Sequence, residues 1–161
     1  SILILKAIGI EPICCVGSDW KKEKLLQLGI KNIINYEKEN LENRIKEITN
    51  GKGVDVVIEH IGGDLFSSAI RCLKRGGILV TCGATRGDPE KFNLRYVFIK
   101  QLKICGSMMG SINEFSIGLK IIQNHKIKPV IDSLFSLEEG RKAHKKMEER
   151  NIFGKIVLKI T

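Results

Sequence analysis

Short apolar runs alternate along this chain with stretches whose apolar residues recur at helical spacing, the pattern of βα units around a parallel sheet. Residues 1–8 carry helix-forming Leu, Lys and Ala and stop at Gly9, which predicts the tail of a helix with a glycine C-cap. Residues 12–16 predict a buried strand ending at Gly17-Ser18-Asp19, where Ser18 or Asp19 caps a helix that carries Leu25, Leu26 and Leu28 and closes at Gly29. Residues 33–36 predict a second short strand. Leu41, Ile45 and Ile48 fall at i, i+4 and i+7 and mark an amphipathic helix over 41–48. After the turn Asn50-Gly51-Lys52-Gly53, the β-branched run 54–58 predicts a strand buried on both faces.

The alternation continues through Ile61-Gly62-Gly63-Asp64 into a helix over 65–73, ended by Lys74-Arg75-Gly76-Gly77. A strand over 78–82 follows, with Gly83-Ala84-Thr85 as its exit, then a loop over 89–93, a short helix over 94–100 and a strand over 102–105 that runs into Gly106-Ser107-Met108-Met109-Gly110. Residues 114–124 predict a helix. Beyond them the character changes: 128–135 is extended, 137–150 a charged helix and 154–160 a closing strand. This shift divides the chain at 1–126 and 127–161.

A length of 161 residues with 43% hydrophobic and 28% charged residues is enough for an ordered core. No run of eighteen uncharged apolar residues is present, so no membrane-spanning helix is expected. The first residues lack a basic leader and a small-residue cleavage site, and they lack an initiator Met, which suggests a start inside a longer reading frame. The five cysteines show no C-x-x-C spacing, which argues against a metal knuckle and a disulfide framework and for reduced core thiols in the cytoplasm. A net charge of +9 invites nucleic acid as a partner, but Lys and Arg are spread over several helices and mixed with Glu, so a solvated basic surface is expected and nucleic-acid binding is disfavoured.

A parallel sheet places ligands at the carboxyl ends of its strands. Here those ends are Gly17-Ser18, Tyr36, Ile61-Gly62-Gly63, Gly83-Ala84-Thr85 and Gly106-Ser107-Met108-Met109-Gly110. Most contain glycine, which admits a ligand close to the backbone, although turn glycines often do no more than end strands. The succession Val16-Gly17-Ser18-Asp19, Leu28-Gly29, Ile33-Ile34-Asn35-Tyr36, Gly53 to Gly63, Gly77 to Ala84 and Phe153-Gly154-Lys155-Ile156-Val157-Leu158 resembles the cofactor-binding half of medium-chain dehydrogenases, in the zinc-type alcohol dehydrogenase and quinone oxidoreductase branches.

That resemblance implies a Rossmann-like, doubly wound α/β fold in residues 1–126 and a segment, 127–161, that returns to a catalytic domain. It implies a nicotinamide dinucleotide as cofactor and hydride transfer to or from an alcohol or carbonyl substrate. Gly17 and Ser18 would meet the adenosine ribose. NAD-preferring folds usually carry an acid there; with Gly17 in its place, and Ser18 and Lys21 able to donate to a phosphate, NADP is favoured over NAD, with Tyr36 flanking the adenosine. Asp19 is the residue able to reverse that charge logic. Ile61, Gly62, Gly83, Ala84 and Thr85 would border the pyrophosphate, ribose and nicotinamide, and Met108 and Met109 the carboxamide, unless that pair fills core. The Glu59-His60 pair is expected to support the cofactor loop rather than to carry protons. His125 and His144 lie on charged helices, and Cys72 and Cys82 have no His beside them in sequence to activate a thiol.

The family's G-x-G-x-x-G loop does not occur, and residues 1–10 match only the end of the helix that follows it. The expectation is a sheet without its first, central strand, and zinc ligands only in an amino-terminal domain outside this chain. Such a chain carries half a cofactor site and is expected to be inactive alone. The alternative is a non-catalytic fragment or split-gene remnant acting as a dimerising or RNA-binding module. A homodimer would form through the edge of the strand at 102–109.

Overall fold

A computed structural model describes residues 1–89 and 91–160, so Glu90 of the predicted loop 89–93 and Thr161 of the closing segment lie outside the described residues. Helices and strands alternate as the pattern predicts: α1 (Ile2–Ala7), β1 (Ile13–Val16), α2 (Asp19–Gln27), β2 (Asn32–Asn35), α3 (Leu41–Ile48), β3 (Val54–Glu59), α4 (Gly63–Cys72), β4 (Leu73–Thr81), α5 (Leu94–Lys100), β5 (Lys103–Gly106), α6 (Ile112–Asn124), β6 (Ile131–Ser136), α7 (Gly140–Glu148) and β7 (Lys155–Lys159). Every strand pairing is parallel.

The strands form three sheets rather than one. β1 pairs with β2, β3-β4-β5 form a second sheet, and β6 pairs with β7. The expected central strand would stand between β1 and β3, and each of these has one edge without a partner among the described residues. This corrects the expectation for β3. Val54 and Val57 pack into the core of Ala69, Ile70, Leu73, Leu79 and Leu102, but Val56 and Ile58 are 52% and 51% exposed, so the run is covered on one face only.

Three apolar clusters hold the halves. One joins Cys14, Leu25, Ile30 and Ile33 of the β1-β2 unit, with Phe153 packed against it. The second is the cluster beneath α4 and α5. The third, Ile34, Ile45 and Cys72, with Ile13 and Val54 at its margin, spans both units and ties β2 to α4 through α3.

Local departures have local causes. α4 stops at Cys72, one residue short of the predicted end at 73, and Leu73 to Gly77, expected to lie outside any strand, open β4 as an irregular stretch: Leu73 is paired with Val54, and the next pair is Ile78 with Val56. α6 begins before 114 because Ser111 caps it, with the Ser111 hydroxyl accepting from the Glu114 amide and Glu114 Oε2 accepting from the Ser111 amide. Ser136 and Glu139 make a second such box, so the predicted helix 137–150 opens with one 3₁₀ turn before α7. The cysteines are not uniformly core: Cys14 and Cys72 are buried, whereas Cys15, Cys82 and Cys105 are exposed. β1 and β5 each have an uncovered face, and Cys82 lies just past the end of β4.

Candidate functional site

Parallel pairing brings the carboxyl ends of paired strands to a common edge, and there Gly17 and Tyr36 fit together. The Tyr36 amide donates to the Val16 carbonyl at 3.0 Å. A Cβ added at Gly17 would stand 2.7 Å from the Tyr36 hydroxyl, so any side chain there would have to push the phenol from its place across the end of β1. Ser18 is the N-cap of α2 with extended backbone, yet its side chain makes no capping bond. Its hydroxyl is buried without a partner among the described residues, so its hydrogen-bonding capacity is available to a ligand.

Asp19 is engaged by its neighbours. Asn35 donates to it at 2.6 Å and Lys38 pairs with its other oxygen. The hydrogen bond from Lys38, then that from Asn35, hold its carboxyl below the usual carboxylate range. Lys21 donates to the carbonyl of Arg150 at 3.3 Å and sits 5.3 Å from the Trp20 ring centroid.

The exits of β3 and β4 are strapped together. Glu59 is buried, and its Oε1 accepts from the amides of Ile61 at 2.6 Å and Gly62 at 2.8 Å. Gly62 has φ +77°, and a Cβ there would run into the Gly87 carbonyl and Ala84. Three main-chain bonds add to the strap: Gly63 N–H to Gly87 O at 2.8 Å, Arg86 N–H to Ile61 O at 2.6 Å and Thr85 N–H to His60 O at 3.4 Å. Gly83, Ala84 and Thr85 are exposed on this loop.

From it Arg86 reaches back to the exit of β2. Its guanidinium donates to Glu37 Oε1 at 2.9 Å and lies 5.6 Å from the Tyr36 ring centroid. The Glu37 hydrogen bond, then the charge of Tyr36, raise its pKa.

Gly17, Ser18 and Tyr36 therefore share one corner, and Arg86 joins it to the turn that holds Ile61 and Gly62. Met108 and Met109 stand apart. They follow β5, which lies across β4 from β3, and at 86% and 91% exposed they fill no core. Arg86 and Glu37 escape a reading by sequence because nothing local marks them; the only signal is a basic residue right after Gly83-Ala84-Thr85. A surface hollow lined by Ser67, Arg71, Phe92, Leu94 and Tyr96 lies between α4 and α5, away from the strand exits.

Residues 1–124 match the family model described as zinc-binding dehydrogenase. The chain belongs to that family. This bears out the resemblance to medium-chain dehydrogenases. The quinone oxidoreductase of Salmonella typhimurium is 31% identical over 164 residues, covering 95% of this chain and 50% of the relative. A solved NAD-dependent alcohol dehydrogenase matches with a TM-score of 0.90 at 32% identity over 99% of this chain and 47% of the other. A 2-octenoyl-CoA carboxylase reductase, solved in complex with NADP and 2-octenoyl-CoA, matches with a TM-score of 0.84 at 26% identity over 98% of this chain and 39% of the other. The chain spans about a third to a half of the length of the curated relatives it matches. The Rossmann-like α/β reading of the sequence holds.

Among the described residues no group of three or more His, Cys, Asp or Glu is placed to hold a metal ion, so these residues do not fit a zinc site. No helix among them is long and apolar enough to cross a membrane.

Proposed function

We propose that this chain is the cofactor-binding part of an NADP(H)-dependent oxidoreductase that moves hydride between the nicotinamide and an alcohol or a quinone-like carbonyl. When bound, the dinucleotide would supply the hydride to a carbonyl or accept it from an alcohol; the residues of this chain bind and orient it. The observation that carries the reading is the corner at Gly17, Ser18 and Tyr36, where the phenol lies against Gly17 and the Ser18 hydroxyl is buried without a partner among the described residues. The NADP complex of the carboxylase reductase supports it at the level of the fold.

The relatives point both ways on the choice of cofactor, since one matched structure is NAD-dependent and another holds NADP. The charges favour NADP. Asp19 is paired with Lys38 and accepts from Asn35, which draws its charge toward α2 and β2 and offsets its repulsion of a phosphate. Lys21, held by a single bond to the Arg150 carbonyl, is assigned to the 2′-phosphate, while Ile61, Gly62, Gly83, Ala84 and Thr85 line the path of the pyrophosphate and ribose. Met108 and Met109 are assigned to the nicotinamide end.

Residues 1–126 form the nucleotide unit and 127–161 the segment that joins a catalytic domain, where any zinc would be held. The 161 residues alone do not turn over substrate. They pair as a homodimer along the free edge of β5, a reading favoured by the exposed apolar residues of α5 and α6, and they reside in the cytoplasm, in keeping with five free cysteines. Thermal shift with NADPH and NADH on the full chain tests the cofactor reading. NADPH is expected to raise the melting temperature more than NADH at equal concentration, and no response to either overturns it.

A further inference from the structure

The ion pair of Arg86 with Glu37 links the exits of strands that belong to separate sheets, forty-nine positions apart in the chain. It is a spare contact for folding. Both side chains are about half exposed, and exposed pairs add little to stability. Arg86 donates to Glu37 through Nη2 alone, so most of its five N–H donors are unused among the described contacts. Its backbone is fixed independently, by the bond from its amide to Ile61 and by the Gly63–Gly87 bond on its other side. A half-exposed cationic head on an anchored base thus hangs over the Tyr36 ring, at the corner where the Ser18 hydroxyl has no partner among the described residues.

We propose that Arg86 is a ligand-displaced clasp that recognises the 2′-phosphate of the nucleotide and releases Glu37 when it does so. This rests on the cofactor reading above and goes beyond it by naming the group that discriminates NADP from NAD. A phosphate monoester offers three oxygens to the planar fork where Glu37 engages one nitrogen, and charge-assisted bidentate bonds are the stronger kind. Glu37 is the competitor: with no anion present it holds Arg86, and a nucleotide bearing only a 2′-hydroxyl has nothing to displace it with. The clasp opens for one cofactor and stays shut for the other.

The test is calorimetric titration of the full chain with NADPH, NADH and 2′,5′-ADP, in wild type, Arg86→Gln, Arg86→Lys and Glu37→Gln. Arg86→Gln is expected to weaken NADPH and 2′,5′-ADP by about tenfold or more and NADH by less than about twofold, with Arg86→Lys between. Glu37→Gln is expected to tighten NADPH and 2′,5′-ADP by roughly threefold or more. If Arg86→Gln weakens NADH as much as NADPH, the side chain only positions the loop and the proposal fails. If wild type prefers NADPH and neither variant changes the ratio, the proposal fails while the cofactor reading stands. If wild type binds neither dinucleotide, both fall together.

Discussion

The carbonyl oxygen of Gly87 occupies the space into which a β-carbon on Gly62 would project, while Gly62 itself holds φ +77°. The close approach lets the loop after β4 lie on the turn after β3, with both Gly62 and the neighbouring Ile61 amide tied to buried Glu59. A side chain at Gly62 has to strain its own backbone and push the loop away. Gly62→Ala is therefore expected to cost about 1–3 kcal/mol for the backbone alone, and roughly 2–4 °C of melting temperature for each kcal/mol. It should also weaken nucleotide binding. Gly76→Ala is the control, because Gly76 has φ +72° with nothing near its side-chain position. Equal melting shifts and unchanged nucleotide affinity in both variants would remove the role given to the loop contact.

Thiol reactivity should separate Cys14 and Cys72 from Cys82 and Cys105. Burial pushes the Cys72 thiol up to about 12 and the Cys14 thiol up to about 11, leaving almost no thiolate at pH 8. Cys82 and Cys105 are exposed. Iodoacetamide followed by mass mapping should label Cys82 and Cys105 in the folded chain and reach Cys14 and Cys72 only in denaturant. Labelling of Cys72 as fast as Cys105 would mean that the cluster joining α3 to α4 is open in solution.

The elements were legible in the sequence because periodicity and caps are local signals: Leu41, Ile45 and Ile48 declare α3, and Gly29 declares the end of α2. Burial was less so. Val56 and Ile58 have the composition of a doubly covered strand, and exposure arises only from which neighbours β3 has. The site shows the same division. Gly17, Ser18 and Tyr36 are marked by their places at strand ends, whereas Arg86 and Glu37 are brought together only by the fold, and a loop arginine carries no sign of where its head will lie.

β5 has one edge without a partner among the described residues, which makes the proposed dimer testable. Ser107 donates its amide to Thr81, so by the two-residue alternation of a strand the Ile104 and Gly106 amides face away from β4. Ile104→Pro removes an outward donor and leaves the ladder to β4 without a lost bond. Sedimentation velocity is expected to show wild-type dimer becoming monomer in this variant, with circular dichroism unchanged. A wild type that sediments as a monomer at high concentration, or a variant that remains dimeric, counts against pairing through this edge.

Asp132 links the carboxyl-terminal pair of strands to α7. Its carboxylate accepts from Lys146 at 2.5 Å, from the Phe153 amide at 2.8 Å and from Ser133 at 3.0 Å, and its side chain is 13% exposed. The Lys146 bond, followed by the Phe153 amide, holds the carboxyl below its ordinary range. A depressed value in the folded state means that protons bind the unfolded chain first, so the stabilisation is complete above about pH 4, where the unfolded carboxyl ionises, and is lost as pH falls through the folded value. Asp132→Asn should lower stability by about 1–3 kcal/mol at pH 7, as expected when a charged acceptor of several bonds is removed. The gap between variant and wild type should close as urea melts are carried down toward about pH 2–3, below the unfolded value. Asp55, whose carboxyl is also lowered by its pairing with Lys74 but stands in solvent, should show no comparable gap in Asp55→Asn. Parallel curves for wild type and Asp132→Asn across this range would show that the carboxylate contributes nothing through its charge.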